Sequence, residues 1–335
     1  MTTQADQGLE NSGGNLPFVS VILPILNEEN YLEGSIRSIL SQDYLGKFEI
    51  VLAVAPSQDK SLELAEQIAR NNSQVIVVDN PSGKTAAGLN AALKKSLGTI
   101  IVRVDGHAEI PRTYISDAVQ TLEKTGAVNV GGIMAAEGIT RFEKAVAKAM
   151  RSRLGVGASR FHTGGTPGPV DTVYLGVFQR EALIAIGGFD ERFTRAQDWE
   201  LNFRLRSNGG VIYFDPRLQV TYRPRPNISA LAKQYFQYGT WRRVVARRHK
   251  GTINLRYLAP PIALVCFVGS LLLGLIHPLL LIPAATYLVA IVISATTIAS
   301  SVGQYLYLLL IIPTMHFSWG AGFITSQKNL VPLDQ

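Results

Sequence analysis

The chain has 335 residues, 47% hydrophobic and 17% charged, with a net charge of +7. That length suits one large domain or two smaller ones, and the apolar excess points away from an ordinary soluble composition toward the membrane class. A single cysteine, Cys266, excludes a disulfide framework within one chain and fits a reducing compartment.

Residues 1–15 are polar and rich in Gly, Asn and Gln, without the basic start and apolar core of a signal peptide. They read as a disordered lead-in, and the chain is expected to begin in the cytoplasm. Short β-rich runs and helical patterns then alternate. Strands are predicted at Phe18–Pro24, Phe48–Ala53, Gln74–Val78 and Thr99–Val104. Helices are predicted at Tyr31–Ser41, Lys60–Asn71 and Thr85–Ser96. This alternation predicts an α/β fold, a mostly parallel sheet with flanking helices whose functional loops follow the carboxyl ends of the strands. Residues 111–215 continue as α/β with longer loops. Among them Gly155–Gly168 reads equally as a mobile lid or a plain linker.

Beyond Arg256 the texture changes. Leu258–Ile276 and Leu279–Ala299 are uncharged runs of 19 and 21 residues, each long enough to cross a bilayer. Val302–Ile324 is a third candidate, interrupted by Gln304, Pro313, His316 and several glycines. Residues 1–215 hold 21 basic and 24 acidic side chains, whereas 216–335 hold 11 basic ones and one acid, Asp334. The basic excess stops where the apolar runs begin, which favours membrane lipids over nucleic acid as the partner. Arg242, Arg243, Arg247, Arg248 and Lys250 precede the first run. The positive-inside rule therefore places the preceding domain on the cytoplasmic side of a multi-pass cell-membrane protein.

Three segments carry candidate chemistry. Asp105-Gly106-His107 follows the fourth predicted strand. If the chain stays extended there, Asp105 and His107 point the same way and can share a divalent ion, with Gly106 admitting a phosphate. Taken alone, the more common reading is a turn with a capping aspartate. Gln197-Asp198 opens a helical pattern with Leu201 and Leu205 on one face. Asp198 reads as an N-cap or as a general base, and spacing alone favours the cap. Gln234–Arg243 places aromatics and arginines just before the first apolar run. They form either an interfacial belt or the rim of an acceptor site, where Arg242 and Arg243 suit phosphate pairing.

In this order, the segments resemble the family 2 inverting glycosyltransferases with the GT-A fold over residues 18–250. Val19–Glu29 is similar to the family's opening strand and nucleotide-binding turn, Asp105–His107 to its metal motif, and Gln197-Asp198 to its catalytic acid pair. Val170–Gly176, Gln234–Arg243 and the apolar tail are most similar to the succinoglycan-biosynthesis glucosyltransferase group. The resemblance implies a nucleotide-sugar donor, a uridine diphosphate sugar as first expectation, contacted by Pro24, Asn27, Glu28, Asp59, Lys84, Asn90 and Asp105. It implies a divalent metal, Mn²⁺ or Mg²⁺, held by Asp105 and His107, and Asp198 as catalytic base. It places Gln197, Gln237, Trp241, Arg242 and Arg243 on the acceptor or diphosphate side, with a lipid-linked or glycan acceptor.

Departures from the family pattern are Ala53–Asp59, which lacks an early acid, His107 for Asp, Gln197 for an acid, and Thr240 for Arg. The expected organisation is a disordered segment 1–15, a GT-A catalytic domain 16–222 and a basic juxtamembrane segment 223–256. A membrane region 257–326 with two or three spans and a tail 327–335 follow. Two alternatives accompany this reading: a polyprenyl-phosphate glycosyltransferase, and a non-catalytic nucleotide-sugar binding membrane protein.

Overall fold

The computed structural model describes residues 16–331; the predicted lead-in and the last residues of the tail lie outside the described residues. The first half alternates as the pattern requires. It runs β1 (Val19–Ile25), α1 (Leu32–Leu40), β2 (Phe48–Val54), α2 (Ser61–Asn71), β3 (Val75–Asp79), α3 (Thr85–Lys95) and β4 (Ile100–Arg103). There follow α4 (Tyr114–Thr125), β5 (Asn129–Ala136), α5 (Arg141–Met150), the one-turn helices α6 (Arg153–Val156) and α7 (Arg160–Thr163), and β6 (Gly168–Pro169). β7 (Tyr174–Gln179), α8 (Arg180–Ala185), α9 (Gln197–Ser207) and β8 (Ile212–Tyr222) complete the sheet region. The segment read from sequence as a lid or linker thus carries one of these short helices whole and the end of the other.

The eight strands form one sheet in the order β3-β2-β1-β4-β7-β5-β8-β6. β1, β2, β3 and β4 are mutually parallel, while β7 runs antiparallel to both β4 and β5. Strands covered on both faces read as near-continuous apolar runs, as in VSVILPI and FEIVLAV. Side chains alternate between faces. Val19, Val21 and Leu23 pack with α1 and α4, and Ile22 packs with α3, α8 and α9 on the other side. β1 connects onward through β2 to β3, whereas β4 lies on its other flank, so strand order reverses between β1 and β4. Ligand sites in such sheets lie at the carboxyl ends of the strands beside that reversal.

The remaining chain is helical: α10 (Ile228–Arg248), α11 (Leu255–Gly274), a 3₁₀ turn at Pro278–Leu281, α12 (Ile282–Ile298) and α13 (Val302–Thr325). Three stretches, Leu255–Gly274, Pro278–Ile298 and Val302–Thr325, are long and apolar enough to cross a membrane. α13 packs closely on α10 through small residues. A Cβ on Gly239 would lie 2.0 Å from the Trp319 carbonyl oxygen, and one on Gly322 would lie 2.0 Å from that of Phe236. Between them the Thr240 hydroxyl donates to the Gly322 carbonyl at 3.2 Å. Absence of side-chain bulk lets the two backbones approach, as in other close helix crossings.

Because both contacts are to backbone, neither can move aside cheaply. Gly239→Ala and Gly322→Ala should each cost about 1–3 kcal/mol, the usual range for overpacking. Gly269→Ala, on the open face of α11, should cost nothing measurable. Thermal unfolding of the detergent-solubilised variants checks this; equal melting of all three would contradict the close crossing.

Candidate active site

The loops after β1 and β2 are clasped together. The Asn27 amide donates to Ser57 Oγ at 3.1 Å, and Asn27 Oδ1 accepts from the Gln58 amide at 2.8 Å. The Glu29 amide donates to Asp59 Oδ2 at 3.1 Å, and the Glu28 amide to Ser61 Oγ at 2.7 Å. Asn27 adopts φ 56, a left-handed conformation that asparagine tolerates better than most residues. Two of the groups expected at the nucleotide, Asn27 and Asp59, therefore also hold these two loops together. Pro24 lies in β1 opposite Ala53. Lys84 is exposed at the N-terminus of α3. Asn90 is fully engaged elsewhere: its side chain donates to Phe189 O at 2.8 Å and Glu191 Oε1 at 2.9 Å, and accepts from the Phe189 amide.

Across the reversal point, Asp105–His107 follows β4 as a turn and not as extended chain. The Ala108 amide donates to the Asp105 carbonyl at 2.9 Å, so the two-residue alternation expected from sequence is broken. Gly106 is needed for a neighbour within the protein, since a Cβ there would lie 2.9 Å from both Glu28 Cγ and Ile25 Cδ1. His107 Nδ1 meets Glu28 Oε1 at 2.7 Å, joining the two loops. That hydrogen bond raises the imidazole pKa above its ordinary value.

The central element was not singled out in the sequence. Arg103, the last residue of β4, is only 5% exposed. Its Nε and Nη2 donate to Asp105 Oδ1 at 3.3 and 3.1 Å, and its Nη1 to Asp198 Oδ1 at 2.5 Å. Burial opposes its charge, but the two carboxylates outweigh that and hold the guanidinium ionised. The one signal was a lone charge inside the apolar run Thr99–Val104.

Asp198 is not the helix cap that spacing favoured. The N-cap of α9 is Ala196, at φ 63 in the left-handed region, and it makes no side-chain capping bond. Asp198 lies in the first turn and turns to Arg103. Desolvation by its surroundings pushes its carboxyl up to about 6, opposed by Arg103 and reinforced by Asp105. About a quarter of its side-chain surface stays open. A non-glycine residue held left-handed two positions before it, Ala196, is the kind of strain that functional turns retain.

Gln197 and Asp198 line a cavity of about 700 Å³ that extends to the apolar helices, with Trp199, Tyr238, Trp241 and Trp319 among its walls. Ala263 of α11 and Ser294 of α12 form its far side. Gln237, Arg242 and Arg243 do not line it. Arg242 is buried, with its guanidinium 3.8 Å from the Tyr257 ring centre and 5.3 Å from that of Trp199. Arg243 lies over Phe323 at 5.0 Å. Both arginines brace α10 against the apolar helices through cation–π contacts. Thr240, where the family pattern has arginine, fits the close crossing with α13.

The open donors here suit a divalent ion in part. Asp105 uses Oδ1 for Arg103, leaving Oδ2, and His107 uses Nδ1 for Glu28, leaving Nε2. One guanidinium facing two carboxylates also leaves a local negative charge. No group of three or more His, Cys, Asp or Glu side chains able to hold a metal occurs among the described residues. Two such donors fall short of a protein cage, and an ion held by them would need further oxygens from substrate or water.

Residues 20–187 match the family model described as Glycosyl transferase family 2. The chain is 29% identical over 310 residues to succinoglycan biosynthesis protein ExoA of Rhizobium meliloti, covering 90% of this chain and 93% of that protein. It is 25% identical over 312 residues to a dolichyl N-acetyl-alpha-D-glucosaminyl phosphate 3-beta-D-2,3-diacetamido-2,3-dideoxy-beta-D-glucuronosyltransferase of Methanococcus voltae, covering 88% and 91%. The fold resembles that of mannosyltransferase PcManGT from Pyrobaculum calidifontis, solved with GDP-Man and Mn²⁺. The TM-score is 0.60 at 21% identity, over 94% of this chain and 87% of that one. It also resembles S. aureus TarS 1-349 in complex with UDP-GlcNAc, with TM-score 0.51 at 16% identity, over 89% of each chain. A reversed sheet with its polar groups at the strand ends, followed by apolar helices, is thus a GT-A glycosyltransferase fold, and the chain belongs to glycosyl transferase family 2.

Proposed function

We propose that the protein is a membrane-anchored inverting glycosyltransferase, moving a hexose from a nucleotide-sugar donor to a lipid-linked or polysaccharide acceptor at the cytoplasmic face. The observation that carries this reading is Asp198, paired with Arg103 and facing a largely apolar cavity that reaches the membrane helices. The relatives in succinoglycan and dolichyl-linked glycan synthesis support the acceptor class. The solved neighbours hold UDP-GlcNAc and GDP-Man, which supports a nucleotide-sugar donor. The basic residues before α11 support the cytoplasmic orientation.

The donor lies along the carboxyl ends of β1, β2 and β4, against the clasped Asn27–Glu29 and Ser57–Asp59 loops. Lys84 and the N-terminus of α3 offer positive charge to its phosphates. Asp105 and His107 would hold a divalent ion, which would supply Lewis-acid stabilisation of the departing diphosphate. Arg103 keeps Asp105 and Asp198 apart in role, binding one oxygen of each. Asp198 takes the proton from the acceptor hydroxyl. The acceptor oxygen bonds to the anomeric carbon as the bond from that carbon to the diphosphate oxygen breaks on the opposite side. One displacement inverts the centre.

The apolar cavity, with Arg153, Arg195 and Arg256 among its lining, also favours a second reading in which the acceptor is a lipid phosphate. A phosphate oxygen is already ionised and needs no base. Asp198→Asn separates the two. Under the hydroxyl-acceptor reading, kcat falls about 10²–10⁴-fold, the usual worth of a general base, while donor affinity measured by calorimetry stays within a few-fold. An undiminished kcat would favour the lipid-phosphate acceptor.

The pH dependence follows from the same group. Asp198 accepts a proton only when ionised, so with a carboxyl pKa of about 6, kcat/KM should fall as pH drops through that value and level off above it. A flat profile from pH 5 to 8 would argue against this base. For the metal, Glu28→Gln should weaken Mn²⁺-dependent donor binding by about 10–100-fold, as for other groups that orient a ligating histidine. His107→Ala should weaken it at least as much. An unchanged Mn²⁺ titration in both would remove His107 from the ligand set.

A further inference from the structure

α13 is 24 residues long and contains an 18-residue stretch with a mean hydropathy of 1.4, sufficient by length and composition to cross a bilayer. Its contacts describe another placement. Just before it, Lys148 of α5 donates to the Ile298 carbonyl at 3.2 Å and to Ser300 Oγ. Phe142 of α5 packs edge-on against Tyr307 at 5.7 Å. Leu308, Ile311, Ile312 and Met315 are fully buried in one cluster with Ala145 and Met150 of α5 and Leu231 and Tyr235 of α10. His316 Nε2 meets the Leu154 carbonyl at 2.7 Å. Near its end the Gly322 carbonyl accepts from Thr240, and Arg247 donates to the carbonyls of Ser326 and Gln327 at 2.7 and 2.8 Å. Val331, past the helix and 5% exposed, packs with Phe193 and Trp241.

Sheet-region and α10 groups therefore meet this helix before its start, along one face through its length, and after its end. A helix crossing the bilayer would separate its ends by a hydrocarbon layer about 30 Å thick. The charged and polar groups touching α13 at both ends, Lys148 and Arg247 among them, cannot all follow it through. Toward its two ends the opposite face stays uncovered and apolar, with Leu306, Leu310 and Ile324 57%, 64% and 44% exposed, while its middle packs on the hairpin, Phe317 against Phe267 of α11 and Tyr287 of α12 and Gly320 against the Pro260 carbonyl.

We propose that α13 lies in the plane of the membrane surface, its Leu306, Leu310 and Ile324 face turned to the acyl chains of the leaflet next to the catalytic domain. Only the α11–α12 hairpin then enters the bilayer, and residues 326–331 stay on the catalytic side. The partner is the lipid interface: an apolar face buries about 5–10 Å into the headgroup boundary while polar groups remain at the surface. α10 supplies those groups, with Arg243 and Arg247 braced on the end of α13. The wall that Met315, His316 and Trp319 contribute to the cavity is thereby held at headgroup depth. This inference rests on the reading that α11 and α12 insert.

The test uses the full chain with Cys266→Ser as background and single cysteines at Leu45→Cys in the catalytic part, 93% exposed at Leu45, or Lys328→Cys. A membrane-impermeant maleimide applied to sealed vesicles of each orientation should label both from the same side. Nitroxides on Leu306→Cys and Ile324→Cys report depth by paramagnetic relaxation. Those positions are about 27 Å apart along a helix axis, so a crossing helix shows most of that as a depth difference and an in-plane helix shows almost none. Opposite-side labelling or a steep depth difference overturns the proposal and leaves the α11–α12 anchor standing. Release of the protein by alkaline carbonate would overturn both.

Discussion

A guanidinium buried at the end of an apolar strand needs anionic partners held close, and Arg103 draws them from two distant parts of the chain. Asp105 comes from the turn that follows the strand, and Asp198 comes from a helix 95 residues later. Each carboxylate gives Arg103 one oxygen in this network, which leaves the local charge negative and one face of each acid open. Removing either partner from such a buried pair is costly because the surviving charge stays desolvated. The arginine thus fixes the separation of the acid expected at the metal from the acid expected to take the proton.

The same helix that carries Asp198 is tied to the C-terminal helices. Glu200, two residues on and 2% exposed, pairs with Arg204 at 2.6 Å and with His249 at 3.0 Å at the end of α10. Trp199, between them, packs its ring near Tyr257 of α11 and Trp319 of α13. α10 in turn meets α13 through glycines at backbone distance. A continuous set of rigid contacts therefore runs from the strand ends to the apolar helices. The cavity wall contains residues of both. Thr240 belongs to this architecture: with Gly322 against it, the position has little room for a long cation, and its departure from the family pattern has a packing cause.

Much of the fold was legible in the residues. Apolar strands of five to seven residues, helical periodicity and turn chemistry located the first four strands and three helices to within a residue or two, because each is set by local pattern and two-sided burial. The apolar runs after Arg256 were equally plain, since hydropathy over about 20 residues is a local property. Asp105, His107 and Asp198 were legible as candidates only through their order along the chain. Read singly, Asp198 favoured a cap that the structure does not contain, because Ala196 holds that place in a left-handed conformation no periodicity announces.

What the amino-acid sequence determined by itself was therefore what local pattern encodes: strand and helix identity, the apolar C-terminal region, its basic approach, and the family likeness. What only the tertiary structure decided depends on which distant groups meet. Arg103 pairs with Asp105 and Asp198. Asn90 serves the turn at Phe189, Arg242 and Arg243 brace aromatic rings, and α13 lies along the catalytic part from end to end. The physical reason is the same in each case. A charge or an apolar face has no partner written beside it, and its role is settled by the closest complementary surface that folding brings to it.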